Sequence, residues 1–146
     1  MKLVLDASVA VKWILPELAD EPDTDRAAQL LTAVRDNRVE LLQPPHWFAE
    51  VAAVIARLRP EIVNHAIDLL DALDLAVDAD ASIYKRASGI ARQLDQHLFD
   101  TLYHALALER SAILVTSDLR YLRKARMLGA IVSLADWVPP PSAAEP

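Results

Sequence analysis

An α/β fold built around a short parallel sheet is predicted for this 146-residue chain by three features. Apolar runs of strand length alternate with longer segments of helical period, the pattern of successive βαβ units. Two of those runs end close to an aspartate, Asp6 after Lys2-Leu3-Val4-Leu5 and Asp118 two residues after Ile113-Leu114-Val115-Thr116. A hydrophobic content of 53% is enough for one core in a chain the size of one ordinary domain.

The elements follow in order. The first run predicts a strand over 2–5, with a helix over 7–15 behind it and a second helix over 24–36. Residues 40–43 read as the next strand. Pro44-Pro45 then fits a strand-to-helix turn with proline at the first helical position, opening a helix over 45–59. Pro60 separates this from a helix over 61–73, because it disfavours helix at Arg59 and cannot donate to the preceding turn. In that helix Ile62, Val63, Ala66, Ile67, Leu69, Leu70 and Leu73 form a broad apolar face suited to a core or to another chain. The third strand, over 75–78, is the weakest because Asp74, Asp78 and Asp80 crowd it. Helices over 80–94 and 99–110, a strand over 112–116, a helix over 118–127 and a strand over 130–133 complete the domain, placed at 1–138. The proline-rich tail over 139–146 has little to bury and reads as partly disordered. No internal repeat is present.

Composition removes several classes. Without cysteine there are no disulfides and no thiolate metal sites, which fits a reducing, cytoplasmic setting. Asp6 and Lys12 interrupt the amino-terminal apolar stretch and no small-residue cleavage site follows, against a signal peptide; no run is long enough to cross a bilayer. A net charge of −6 is unhelpful for binding phosphates. Distribution partly offsets it: Arg120, Arg123, Lys124 and Arg126 crowd beside Asp118, and Arg57 and Arg59 follow Glu50.

Four acids, Asp6, Glu50, Asp100 and Asp118, stand where an open sheet could gather them at the carboxyl ends of its strands, the edge where such sheets bind ligands. Several carboxylates and no thiolate suit a hard metal ion. Taken singly, Asp6, Asp100 and Asp118 are accounted for as helix N-terminal residues that meet the backbone N–H groups and the helix dipole. Glu50 lies inside its helix and escapes that explanation. Projection at 3.6 residues per turn places Phe48, Val51, Ile55 and Leu58 on the core face, and His46, Glu50, Ala53 and Arg57 on a polar one. Asp100 stands at the mouth of a helix that is apolar nearly all round.

Four blocks, Leu5-Asp6-Ala7-Ser8-Val9-Ala10-Val11-Lys12-Trp13, Trp47-Phe48-Ala49-Glu50-Val51, Phe99-Asp100-Thr101-Leu102-Tyr103-His104-Ala105-Leu106-Ala107 and Leu114-Val115-Thr116-Ser117-Asp118, together resemble the PIN-domain family, and within it the VapC-type toxins of prokaryotic toxin-antitoxin pairs. The likeness runs from Lys2 to about Trp137. It implies a five-stranded parallel sheet of order 3-2-1-4-5 flanked by about seven helices, and a ribonuclease site in which Asp6, Glu50, Asp100 and Asp118 hold one or two Mg²⁺ or Mn²⁺ ions directly or through water. Ser8 and Thr116 are its polar support. It further implies an RNA substrate hydrolysed by metal-activated water, a cognate antitoxin, and a homodimer. His104 departs from the apolar residue usual there; it lies i+4 from Asp100, but a satisfied structural histidine is the better reading.

The chemistry asks for such a set. Two carboxylates about 4 Å apart repel by roughly 4 kcal/mol at an effective dielectric of about 20, so converging acids take up protons or a cation. Lys12, Arg120 and Arg123 are candidate phosphate contacts, as point charges rather than base readers. A catalytically weak PIN-like module that binds RNA or protein is the alternative. A haloacid-dehalogenase-type phosphatase needs a second aspartate where Ser8 stands, and a phosphorylation-controlled receiver needs an acidic pair and a late lysine that are not in the required arrangement.

Overall fold

The computed structural model describes residues 1–15 and 22–142. Its sheet contains β1 (Lys2–Leu5), β2 (Glu40–Gln43), β3 (Ala76–Val77), β4 (Ile113–Thr116) and β5 (Ile131–Ser133). All pairings are parallel and the order is β3-β2-β1-β4-β5, as expected. Seven α-helices accompany it among the described residues: α1 (Ala7–Ile14), α2 (Thr24–Arg35), α3 (Trp47–Leu58), α4 (Val63–Ala72), α5 (Ala81–Leu94), α6 (Leu98–Glu109) and α7 (Leu119–Ala125).

The two faces of the sheet are covered by different helices, which is why its central strands are apolar on both sides. Val4 and Leu114 point into a cluster with α1, α3, α4, α5, α6 and α7. Leu3, Leu5 and Val115 alternate to the other face, against Ala27, Leu30 and Ala33 of α2 and Trp137. In α6 every residue from Thr101 to Ala107 is buried, so the helix that read as apolar all round is central.

Several expectations change in detail. The turn at Pro44-Pro45 delays α3 to Trp47, whose N–H reaches the Pro44 carbonyl at 3.2 Å, so neither proline is helical. Its buried face is Trp47, Val51 and Ile55, while Leu58 is 45% exposed because α3 ends there against a turn of 3₁₀ helix at Pro60–Ile62. On α4 only Ala66 and Leu70 are fully buried and Leu69 is exposed. β3 shrinks to two exposed residues at the sheet edge; the Asp78 N–H still donates to the Gln43 carbonyl at 3.0 Å, while its carboxylate pairs with Arg110 at 2.6 Å. Of the proline-rich tail, 139–142 are described, and the Pro140 carbonyl accepts a hydrogen bond from Arg38 at 2.8 Å; residues 143–146 of that tail, and residues 16–21 after the first helix, lie outside the described residues.

Candidate active site

The chain reverses its winding between β1 and β4, and the crevice beyond their carboxyl ends is the switch point of the sheet. Asp6 leaves β1 there and Asp118 follows β4. The end of β1 is held on both sides. Its Asp6 N–H donates to the Val115 carbonyl at 3.1 Å. On the β2 side, Leu5 N–H donates to Gln43 Oε1 at 2.8 Å, and Gln43 Nε2 donates back to the Leu5 carbonyl at 2.9 Å. Gln43 is buried, so its amide substitutes for a strand pairing and fixes the backbone just before Asp6.

Thr116, the fully buried last residue of β4, joins the two aspartates. Its hydroxyl donates to Asp6 Oδ2 at 2.8 Å and accepts from the Asp118 N–H at 3.0 Å. Ser8 Oγ accepts from the Ser117 N–H at 3.1 Å, tying α1 to the same loop. Both aspartates also cap helices: Asp6 Oδ1 faces the Ser8 N–H at 3.4 Å, and Asp118 Oδ1 accepts from Tyr121 N–H at 3.0 Å.

Asp100 and Glu50 arrive from helices. Asp100 is in the first turn of α6, yet its carboxylate caps nothing; Oδ2 accepts from Gln96 Nε2 at 2.8 Å. Gln96 Oε1 in turn accepts from Lys124 at 3.1 Å, which fixes the orientation of the amide. Glu50, placed on a polar face by periodicity, is half-buried because α6 stands opposite it: Tyr103 O–H donates to Glu50 Oε2 at 2.8 Å. His46 lies 3.5 Å from Glu50 Oε1 and packs on the Tyr103 ring at 4.6 Å.

The electrostatics are those of acids short of counter-charge. Burial raises the Asp6 pKa, against the opposing hydrogen bonds of Thr116 and Ser8, and the charge on Asp118 raises it further. Glu50 is likewise raised by burial, against the Tyr103 hydrogen bond, with Asp6 and Asp100 adding to the shift. Burial lowers the His46 pKa, so His46 is neutral near pH 7 and offers Glu50 no full positive charge. Among the described residues no lysine or arginine forms an ion pair with any of the four acids.

This donor set fits a hard divalent ion: oxygen ligands, partly desolvated, without a built-in cation. Among the described residues no three acidic or histidine side chains converge closely enough to enclose an ion. Mg²⁺ does not require enclosure, since it keeps several waters and takes one or two carboxylates directly.

The remaining candidates separate. His104 is fully buried; Nε2–H donates to the Gly129 carbonyl at 2.7 Å and Nδ1 accepts from Tyr121 O–H at 3.0 Å, so the ring is a neutral structural link and does not reach Asp100. Lys12 is buried too, with Nζ donating to the Pro22 carbonyl at 2.9 Å, which turns its charge toward that loop. Arg123 is exposed and its Nε donates to Leu119 of its own helix. Lys124 meets the Leu94 and Asp95 carbonyls at the end of α5. Arg120 is exposed and lines a cleft of about 490 Å³ with Asp118, Gln96, His97 and Tyr121.

Gln43, Gln96, Tyr103 and His46 were not singled out by sequence reasoning as partners of the acids. Only Gln43 carried a local signal, a polar side chain at the end of a buried strand. The others are recognised by what they face across the fold.

An open parallel sheet with carboxylates gathered at its switch point defines a class of α/β protein whose ligand site lies at that edge. The family model of the PIN domain matches residues 3–127, and the chain belongs to the PIN-domain family. PIN domains are in general metal-dependent nucleases, so the chain falls in a class of hydrolases acting on nucleic acids. No curated protein matches the chain, and no helix among the described residues is long and apolar enough to cross a membrane.

Proposed function

We propose that the chain is a metal-dependent endoribonuclease and the VapC-type toxin of a toxin-antitoxin pair, with Asp6, Glu50, Asp100 and Asp118 as its catalytic, metal-holding acids. The observation that carries the reading is the Thr116 hydroxyl bridging Asp6 and Asp118 across β1 and β4, at the sheet edge where Glu50 and Asp100 add to the same negative field. One or two Mg²⁺ or Mn²⁺ ions are the cofactors proposed. When bound, such an ion lowers the pKa of water and neutralises charge developing on a phosphoryl oxygen.

The chain's own residues then have distinct tasks. Thr116 and Gln43 hold Asp6 at the end of β1, with Ser8 fixing the loop that carries Asp118. Gln96 directs Asp100 and Tyr103 directs Glu50, so each carboxylate is set before substrate arrives. Arg120, exposed in one cleft with Asp118, is the phosphate contact proposed. A cognate antitoxin and a second copy of the chain are the proposed protein partners; exposed Leu58 and Leu69 near the ends of α3 and on α4 supply apolar surface for one of them. A cytoplasmic site of action follows from that role.

Induction in growing cells tests toxin and nuclease together. Growth arrest with new RNA ends, absent for Asp100→Asn and relieved by co-expressing the product of the adjoining gene, is the expected outcome. New RNA ends without arrest or relief would leave a nuclease that is no toxin, and equal RNA ends with Asp100→Asn would remove Asp100 from the site.

A further inference from the structure

Half of the aromatic residues are buried: Trp47, Tyr103, Tyr121 and Trp137 are each 3% exposed or less. Phe99 is the most exposed of the aromatic residues, at 60%, against 39% for Tyr84. It precedes Asp100 in the first turn of α6. Its backbone is pinned, because His46 Nε2–H donates to the Phe99 carbonyl at 2.7 Å. The two rings also touch, with centroids 5.6 Å apart at 44°, and His46 is itself packed on Tyr103. Phe99 is therefore a held ring whose remaining surface faces solvent, and the residue that holds it also lies against Glu50.

Resting on the nuclease reading, we propose that Phe99 is a stacking platform for an unpaired base of the nucleic acid, beside the phosphodiester presented to the acids. The need for it arises from charge. The net charge is −6, and the fields of Asp118, Glu50 and Asp100 reach Asp6 or one another at the crevice into which a polyanion must come. Lys12 and Lys124 donate to backbone carbonyls, which leaves Arg120 exposed in the polar cleft and Arg57 exposed along the groove beside Ser8 and Thr116. Among the described residues two exposed arginines thus face four acids, and cations are the usual source of affinity for phosphate. Stacking on an aromatic face does not depend on charge and serves any base. It requires the base to be unstacked, since in a duplex both faces are covered by neighbours, so the nucleotide at this position belongs to a single strand or a loop. An exposed phenyl ring also suits a protein partner, and the experiment separates the two.

A single-stranded RNA oligonucleotide carrying the fluorescent base 2-aminopurine is titrated with the full chain in the presence of EDTA, and its cleavage is followed in parallel with Mg²⁺. Wild type quenches the fluorescence. Phe99→Leu keeps apolar bulk without a π face, and is expected to lose the quench and weaken binding roughly 5- to 150-fold, the range for losing one stacked base. Its KM rises accordingly with kcat little changed, and Phe99→Trp restores both. Equal quench, affinity and KM for Phe99→Leu would overturn the platform while leaving the nuclease intact. Quenching without any cleavage by wild type would instead sink the nuclease reading and retain the platform. Absence of quenching by wild type, with Phe99→Glu alone disturbing a protein complex, would assign the ring to a protein partner and overturn the inference.

Discussion

Asp6→Asn removes Mg²⁺-dependent RNA cleavage by roughly 100-fold or more, the scale for losing a group that acts on the transition state, while the chain stays folded. Wild type, stripped by EDTA, loses cleavage and regains it with Mg²⁺; the variant regains nothing. The amide keeps one oxygen, which can still accept from the Thr116 hydroxyl in place of Oδ2, and gives up only the longer contact of Oδ1 with the Ser8 N–H at 3.4 Å. Full cleavage by Asp6→Asn would remove Asp6 from the mechanism.

The same substitution has a stability signature of opposite sign. Asp6 has a folded pKa raised above its ordinary 3.8, chiefly by burial. Below 3.8 both folded and unfolded chains hold the proton and the group contributes nothing. As pH rises toward the folded pKa the unfolded chain ionises first, so stability falls, and above the folded pKa the cost is complete. Metal-free Asp6→Asn therefore gains on wild type as pH rises from about 4 toward neutral. The comparison between the two proteins is the readout, because His46 and His104, with pKa values lowered below 6.5 by burial, lose stability as the pH falls. Thermal melts of both proteins across this range check it; a pH-independent difference would contradict the buried, charge-starved state of Asp6.

Thr116→Val has the second large effect. Valine keeps the β-branched shape that suits the end of β4, but it lacks the hydroxyl shared by Asp6 and Asp118. With Thr116 fully buried, water does not readily replace that hydroxyl, and leaving the Asp118 N–H without it costs about 1–3 kcal/mol. Activity falls further, by roughly 100-fold, the cost of misplacing a reacting group by about 1 Å. The hydrogen bond from Thr116 also opposes the rise in the Asp6 pKa, so its loss moves the rising limb of the pH–activity profile to higher pH. Thr116→Ser restores stability, activity and profile. Thr116→Val with wild-type kcat/KM and an unmoved profile would reduce Thr116 to packing.

What the sequence made legible is what lies close along the chain. β1 and β4 announce themselves as apolar runs ended by an acid, Pro60 marks the break between α3 and α4, and α6 is apolar enough to be central. Contacts across the fold were not legible. Helical period put Glu50 on a polar face, because the residue that shelters it, Tyr103, is 53 positions away on α6. Asp100 had a sufficient local explanation as a helix N-terminal acid, and only the Gln96 amide shows that its carboxylate is used otherwise. Lys12 was a candidate phosphate contact, yet it is buried beside the groove along α1. His104 sits at helical spacing from Asp100, but its ring is turned to Tyr121 and Gly129, which come from segments that sequence spacing does not connect to it. Leu58 read as core because the pattern continues to the end of α3, where the neighbours that would cover it stop.

The most direct test of a single metal site built from Asp6, Glu50, Asp100 and Asp118 is Mn²⁺ binding, followed by the loss of the free-ion electron paramagnetic resonance signal. Wild type is titrated beside Asp6→Asn, Glu50→Gln, Asp100→Asn and Asp118→Asn. Each substitution is expected to weaken binding, by roughly 10- to 100-fold where the carboxylate acts through water and more where it binds directly. Wild-type affinity retained by any one of the four would exclude that acid from the site, and retained by all four would contradict the site itself.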